Sequence, residues 1–149
     1  MSIWVFGYGS LINYNAQIKY PVIVNGLKRS WHVRGYSQKQ TYLGVEDNKD
    51  YHCNGVLIKV TPTELEDLVK REEYYIKKII TKDRINIDMS DNDIIYCFYS
   101  TNFNFYKPTS EYPIYKKYIR ECIRGCMKYG PEFFKYFCYT TYYWGNNFV

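Results

Sequence analysis

No apolar run in this chain approaches the ~20 residues a membrane span needs. No basic region precedes the first apolar stretch either, so a secretory leader is not expected at Met1-Ser2. Histidine occurs twice, at His32 and His52, and the five cysteines are an odd number without CxxC spacing. A zinc site would have to draw mainly on cysteines far apart in sequence, so no metal is expected. Scattered thiols fit a reducing, cytoplasmic compartment, with Cys53, Cys97, Cys122, Cys126 and Cys138 free and unreactive. Internal repeats, linkers and low-complexity tracts are lacking, and 149 residues suffice for one domain over 1–149 with a real core. Alanine is down to a single residue, Ala16, whereas tyrosine reaches 19. With abundant Ile, Asn and Lys this is a codon-level bias, so an individual tyrosine says little about function.

The net charge of +5 is modest. Lys116, Arg120, Arg124 and Lys128 recur every fourth residue and so line one helix face, which reads as solvated. A small basic nucleic-acid-binding barrel would instead interleave basic and aromatic residues on strands, and no nucleic-acid motif is present. The expected partner is therefore a small molecule.

Strand-like stretches cover Ile3–Phe6, Leu27–Val33, Gln40–Val45, Cys53–Val60, Tyr75–Ile87 and Ile94–Ser100, with turns at Gly35-Tyr36-Ser37, Glu46–Asp50 and Asp88–Asp93. Such spacing predicts a strongly curled sheet or barrel. Thr61-Pro62-Thr63-Glu64 is a capping box with proline at the first helical position, opening a helix to Arg71 or Glu72. A second helix is expected from Tyr112-Pro113 to Tyr129, with Tyr115, Tyr118, Ile119, Cys122, Cys126 and Met127 inward, and a short third over Glu132–Tyr139. Cys122 and Cys126, four apart, read either as small core residues or as a metal pair.

Two places carry chemistry. In Phe6-Gly7-Tyr8-Gly9-Ser10-Leu11 a strand breaks into a loop whose glycines can take positive φ or let another group approach the backbone closely. Successive amides there can form a nest for a small carboxylate or phosphate, or the loop is simply a tight turn. Glu72 lies seven residues after Leu65 and continues the apolar stripe of Leu65, Leu68 and Val69 rather than the solvent face. A carboxylate facing a core has a raised pKa, as a general acid/base needs, unless it is paired with Arg71 or a lysine of the next strand.

Taken together, the Gly7-Tyr8-Gly9-Ser10-Leu11 loop and Leu68-Val69-Lys70-Arg71-Glu72 resemble the γ-glutamylcyclotransferase-like superfamily, with its YGS[LN] loop and its Glu before a tyrosine-containing strand. Gly26–Trp31 is similar to the family's G-x-x-R-x-W strand, and Thr41–Val45 to its T-x-L-G strand. Tyr112-Pro113-Ile114 with Tyr118 and Gly125 resembles its Y-P-I…Y…G helix, and Thr140–Trp144 the T-x-x-W tail of some members. Val69 stands where many members have Asp, and Glu73 where many have Gly. The resemblance implies an α+β fold, a mixed, curled sheet flanked by a few helices. It also implies an enzyme, monomeric or homodimeric, that releases 5-oxoproline from a γ-glutamyl compound without a cofactor. Glu72 would be the general acid/base, the amides of Tyr8, Gly9, Ser10 and Leu11 would hold the α-carboxylate, and Tyr75 and Tyr118 would line the pocket. A silent member that only binds a γ-glutamyl compound or small carboxylate is the alternative. Loops near Tyr36–Gln40 and Asn102–Tyr112 are expected to wall the leaving-group side.

Overall fold

A computed structural model describes residues 1–149. Strand β1 (Ile3–Gly7) lies inside a six-stranded mixed sheet with β2 (Lys19–Gly35), β3 (Gln40–Val60), β4 (Ile76–Ile80), β5 (Ile94–Tyr99) and β6 (Thr141–Tyr142), in the order β4-β5-β1-β3-β2-β6. Helices α1 (Pro62–Arg71), α2 (Lys116–Met127) and α3 (Pro131–Tyr139) complete an α+β fold. The sheet is mixed because β1 runs antiparallel to β3 and parallel to β5. It is open, with β4 and β6 as edges, so the barrel expectation gives way to a curled sheet.

The strands depart from the sequence reading where side-chain chemistry redirects the backbone. Gln40–Val45 and Cys53–Val60 are two ends of one strand, β3, paired with β2 along its length. Its polar middle does not turn. The ladder jumps from Asn25–His52 to Leu27–Asp47, leaving Asn48–Tyr51 out of register opposite Gly26, whose φ of 76° suits a bulge. The strand expected over Tyr75–Ile87 stops at Ile80. Beyond it, Arg84 donates to the carbonyl oxygens of Asn25 and Gly26 and pairs with Asp47 at 2.9 Å, drawing the chain across to that bulge.

Helix α1 begins as expected: Thr61 Oγ1 accepts from the Glu64 N–H, and the Glu64 carboxylate accepts from the Thr61 N–H. Its buried stripe is narrower than expected. Leu65 and Leu68 are buried, whereas Val69 is 40% exposed. Helix α2 starts at Lys116, not at Tyr112-Pro113. The Pro113 and Ile114 peptides are used in extended pairing, with the Pro113 carbonyl accepting from the Thr41 N–H and Ile114 exchanging bonds with Asn147 and Val149. Of its expected inward face, Cys122 and Cys126 are fully buried and Met127 is exposed. Lys116, Arg120, Arg124 and Lys128 all face solvent.

Four thiols are buried and only Cys138 is exposed, with no disulfide. Burial pushes the thiols of Cys53 to about 11 and Cys126 to about 12, and those of Cys97 and Cys122 well above the ordinary range. Alkylation of the native protein followed by mass spectrometry should therefore modify Cys138 alone, and unfolding should expose all five. A second thiol reacting in the native state at a comparable rate would contradict this packing.

Candidate active site

Where β1 ends, the chain turns through Tyr8 and Gly9 into a short 3-10 turn over Ser10–Asn13, closed by the Ile12 N–H on the Gly9 carbonyl (3.0 Å). The N–H groups of Gly9, Ser10 and Leu11 at its open end have no partner within the turn. The φ of Gly9 is −134°, so the requirement here is not positive φ but space. A Cβ on Gly9 would lie 3.1 Å from the Tyr118 hydroxyl and 3.3 Å from Leu43 Cδ1. Overpacking of this kind costs about 1–3 kcal/mol. Gly9→Val should therefore leave the fold in place but raise KM about tenfold or more, in steady-state kinetics against a γ-glutamyl substrate. An unchanged KM would show that nothing binds against this loop.

Glu72 caps the C-terminus of α1, its N–H bonded to the Leu68 carbonyl at 2.9 Å. Its own carbonyl accepts from the Tyr75 N–H (3.1 Å), so one tight turn delivers the carboxyl and the Tyr75 phenol to the same wall. No salt bridge or side-chain hydrogen bond reaches this carboxylate. The ion pairs that form are Arg84–Asp47, Arg124–Glu121 and Lys135–Glu132. Pairing to Arg71 or a lysine of β4 is thus absent. Burial pushes the Glu72 carboxyl above the usual carboxylate range, and the neighbouring Arg71 offsets this only in part.

The seven residues singled out in the sequence meet around one narrow chamber of about 20 Å³, lined by Tyr8, Gly9, Ser10, Leu11, Glu72, Tyr75 and Tyr118 together with Leu43 and Phe98. Tyr8 donates to the Phe98 carbonyl and Tyr75 to the Leu43 carbonyl, both at 2.6 Å. Burial holds the phenols of Tyr8, Tyr75 and Tyr118 well above the ordinary range, so all three stay protonated at any working pH. Behind Tyr118 stands an aromatic stack: Trp31 contacts it edge-on at 5.6 Å between centroids, and Trp144 backs Trp31 at 5.4 Å.

This chamber opens into an outer cleft of about 340 Å³, at the lower end of the ~300–1,000 Å³ typical of ligand sites. Ser10, Glu72, Tyr75 and Tyr118 border both spaces, and Gln38, Tyr42, Tyr74, Glu73 and Glu121 are among the residues that line the outer one alone. Of the two loops expected to wall this side, Tyr36–Gln40 contributes Gln38 and Asn102–Tyr112 contributes nothing. Helix α2 supplies Glu121 instead. Sequence reasoning missed Leu43 and Phe98, whose positions on β3 and β5 follow only from register. Tyr42 was quoted in a motif, yet its role as wall was not readable.

His32 lies elsewhere. Burial pushes it down to about 3, and it is held between Ser30 and Ser100 while stacked 4.0 Å from Phe105, a neutral structural imidazole. The cavity thus offers one unpaired carboxyl, the phenols of Tyr8 and Tyr75 fixed by backbone carbonyls, and a turn whose Ser10 faces the Tyr118 phenol. That set can bind a small zwitterion and move a proton on it.

The open mixed sheet with its flanking helices has the fold of the γ-glutamyl cyclotransferases. A γ-glutamyl cyclotransferase superposes with a TM-score of 0.68 at 15% identity, covering 94% of this chain and 86% of its own. YkqA from Bacillus subtilis gives 0.66 at 18% identity over 90% of this chain, which spans about half (52%) of that protein. A yeast γ-glutamyl cyclotransferase specific to glutathione gives 0.53 at 18% identity, covering 72% of this chain and 73% of its own. No family model and no curated protein sequence matches the chain. No helix is long and apolar enough to cross a membrane.

Proposed function

We propose that the chain is a γ-glutamylcyclotransferase-type enzyme, releasing 5-oxoproline from a small γ-glutamyl compound. The observation that carries this reading is the unpaired Glu72 carboxyl, raised by burial and standing where the inner chamber meets the outer cleft. In the proposed reaction the γ-glutamyl half sits at the mouth of the chamber, where Ser10, Glu72, Tyr75 and Tyr118 border both spaces, its α-carboxylate on the amides of Tyr8, Gly9, Ser10 and Leu11. Its leaving group extends into the cleft. The α-amine attacks the γ-carbonyl carbon, a C–N bond closes the five-membered ring, and the original C–N bond breaks. Glu72 takes a proton from the α-ammonium and returns one to the departing nitrogen, a contribution of ~10²–10⁴ in rate. Intramolecular attack needs mainly a folded substrate, which the chamber favours by proximity. Tyr118 lines the chamber as a neutral donor, while Tyr75, whose proton goes to the Leu43 carbonyl, presents oxygen lone pairs.

Assay of 5-oxoproline release from γ-glutamyl amino acids, γ-glutamyl amines and glutathione tests this directly. Release from any of them above the uncatalysed rate is the expected result. A protein inert towards all three classes, yet still binding 5-oxoproline, would be a binding domain built on this fold.

A further inference from the structure

Arg29 is fully buried and has no carboxylate partner. An uncompensated charge in an interior is expensive, so each of its donors must find an acceptor. Nε donates to Thr141 Oγ1 (2.8 Å). Nη2 reaches Asn54 Oδ1 (2.9 Å), Thr140 Oγ1 (2.9 Å) and the Phe137 carbonyl (3.1 Å). Nη1 bonds the Asn54 carbonyl (2.5 Å) and the Tyr8 carbonyl (3.1 Å). Phe137, Thr140 and Thr141 belong to the C-terminal end of α3 and to β6, where the helix dipole favours a cation. Those contacts account for folding stability. The bond to Tyr8 does something else, because that carbonyl belongs to the loop bordering the chamber.

The Tyr8–Gly9 peptide is trans, since the chain has no cis bond. In a trans peptide N–H and C=O point in opposite directions. Arg29 holds the Tyr8 oxygen, so the Gly9 N–H points away from Arg29, and Gly9 itself lines the chamber. A cation on the carbonyl also polarises the peptide and strengthens its N–H as a donor. We propose that Arg29 is a positioning residue for the site: through the Tyr8–Gly9 peptide it aims and polarises an amide that receives the substrate's carboxylate. This inference rests on the functional reading above. It assigns carboxylate selectivity to a side chain that never touches the ligand.

The test compares two ligands that differ only in that group, 5-oxoproline and 5-oxoprolinamide, by calorimetric or NMR titration. The parent should prefer the carboxylate at least tenfold. Arg29→Lys, which keeps the charge but cannot make the forked set of bonds, and Arg29→Gln should each lose most of that preference while binding the amide as before. Thr140→Val removes one of the other bonds and should lower Tm without changing the preference. If the Arg29 variants do not fold, the parent alone decides: saturating 5-oxoproline should shift the Gly9 amide and the Arg29 side-chain N–H resonances together, and the amide ligand should shift neither. A folded variant that keeps the full preference, or a Gly9 amide unmoved by 5-oxoproline, overturns the role of Arg29 and leaves the functional reading standing. A parent that binds neither ligand overturns both.

Discussion

Replacing Glu72 by Gln should lower turnover by ~10² or more with little change in ligand affinity, because the amide keeps the shape and hydrogen-bonding capacity but cannot exchange a proton. Stability should move the other way. Burial raises the Glu72 carboxyl in the folded protein, so folding favours its protonated form. That contribution is fully present below the unfolded-state carboxylate range and is lost as pH rises through the folded value. The neutral amide escapes the loss, so its Tm should exceed the parent's near pH 7 and match it near pH 3. The combination separates chemistry from packing. A carboxylate serving as an ion-pair anchor would give the opposite: lower Tm at neutral pH and unimpaired turnover. Parental rates of 5-oxoproline release from a folded Glu72→Gln protein would end the catalytic assignment.

The second large effect is expected at Gly125, where α2 crosses the 3-10 turn that follows the loop. A Cβ there would sit 2.7 Å from the Asn13 nitrogen and 2.9 Å from the Ile12 carbonyl carbon, both backbone atoms that cannot rotate aside. Two effects oppose each other in Gly125→Ala. Alanine gains about 1 kcal/mol of helix propensity, while overpacking a fixed backbone costs about 1–3 kcal/mol. The clash should win, lowering Tm by several degrees. Relief comes only by backing α2 away from the turn, and Tyr118 sits on the same face seven residues earlier. The Tyr118 phenol should leave Gly9, and a displacement near 1 Å can cost ~10² in rate. Activity should therefore fall more than stability does, as read by calorimetry and kinetics on one preparation. Unchanged Tm and rate would mean that the helix and turn separate without consequence.

The site was legible in the sequence to the extent that it obeys local rules. The capping box fixed where α1 begins, and the helical period then carried Glu72 to the stripe of Leu65 and Leu68. Gly7 and Gly9 marked the loop. What stayed hidden depended on pairing between distant segments. Leu43 and Phe98 enter the chamber through register across the sheet, and β3 looked like two strands because its polar middle bulges opposite Gly26. The helix boundary at Tyr112-Pro113 failed because those residues pair with Thr41 and the following Ile114 with Asn147 and Val149, partners that no local period reveals. The reason Gly9 must be glycine was likewise invisible, since it lies in the Tyr118 hydroxyl of a helix more than 100 residues away.

The long pairing of β2 with β3 has a consequence for how the molecule is assembled. These strands are joined by the short connection at Tyr36–Lys39, so their ladder closes mostly between sequence neighbours and needs little chain ordering beforehand. The chamber has the reverse construction. Its wall joins residues 8–11, 43, 72, 75, 98 and 118, and β1 gains its parallel partner only when β5 is in place. The hairpin is thus the segment that can form early, and the pocket is the part completed last. Any loosening that spares the hairpin but frees α2 abolishes the pocket while most of the sheet persists.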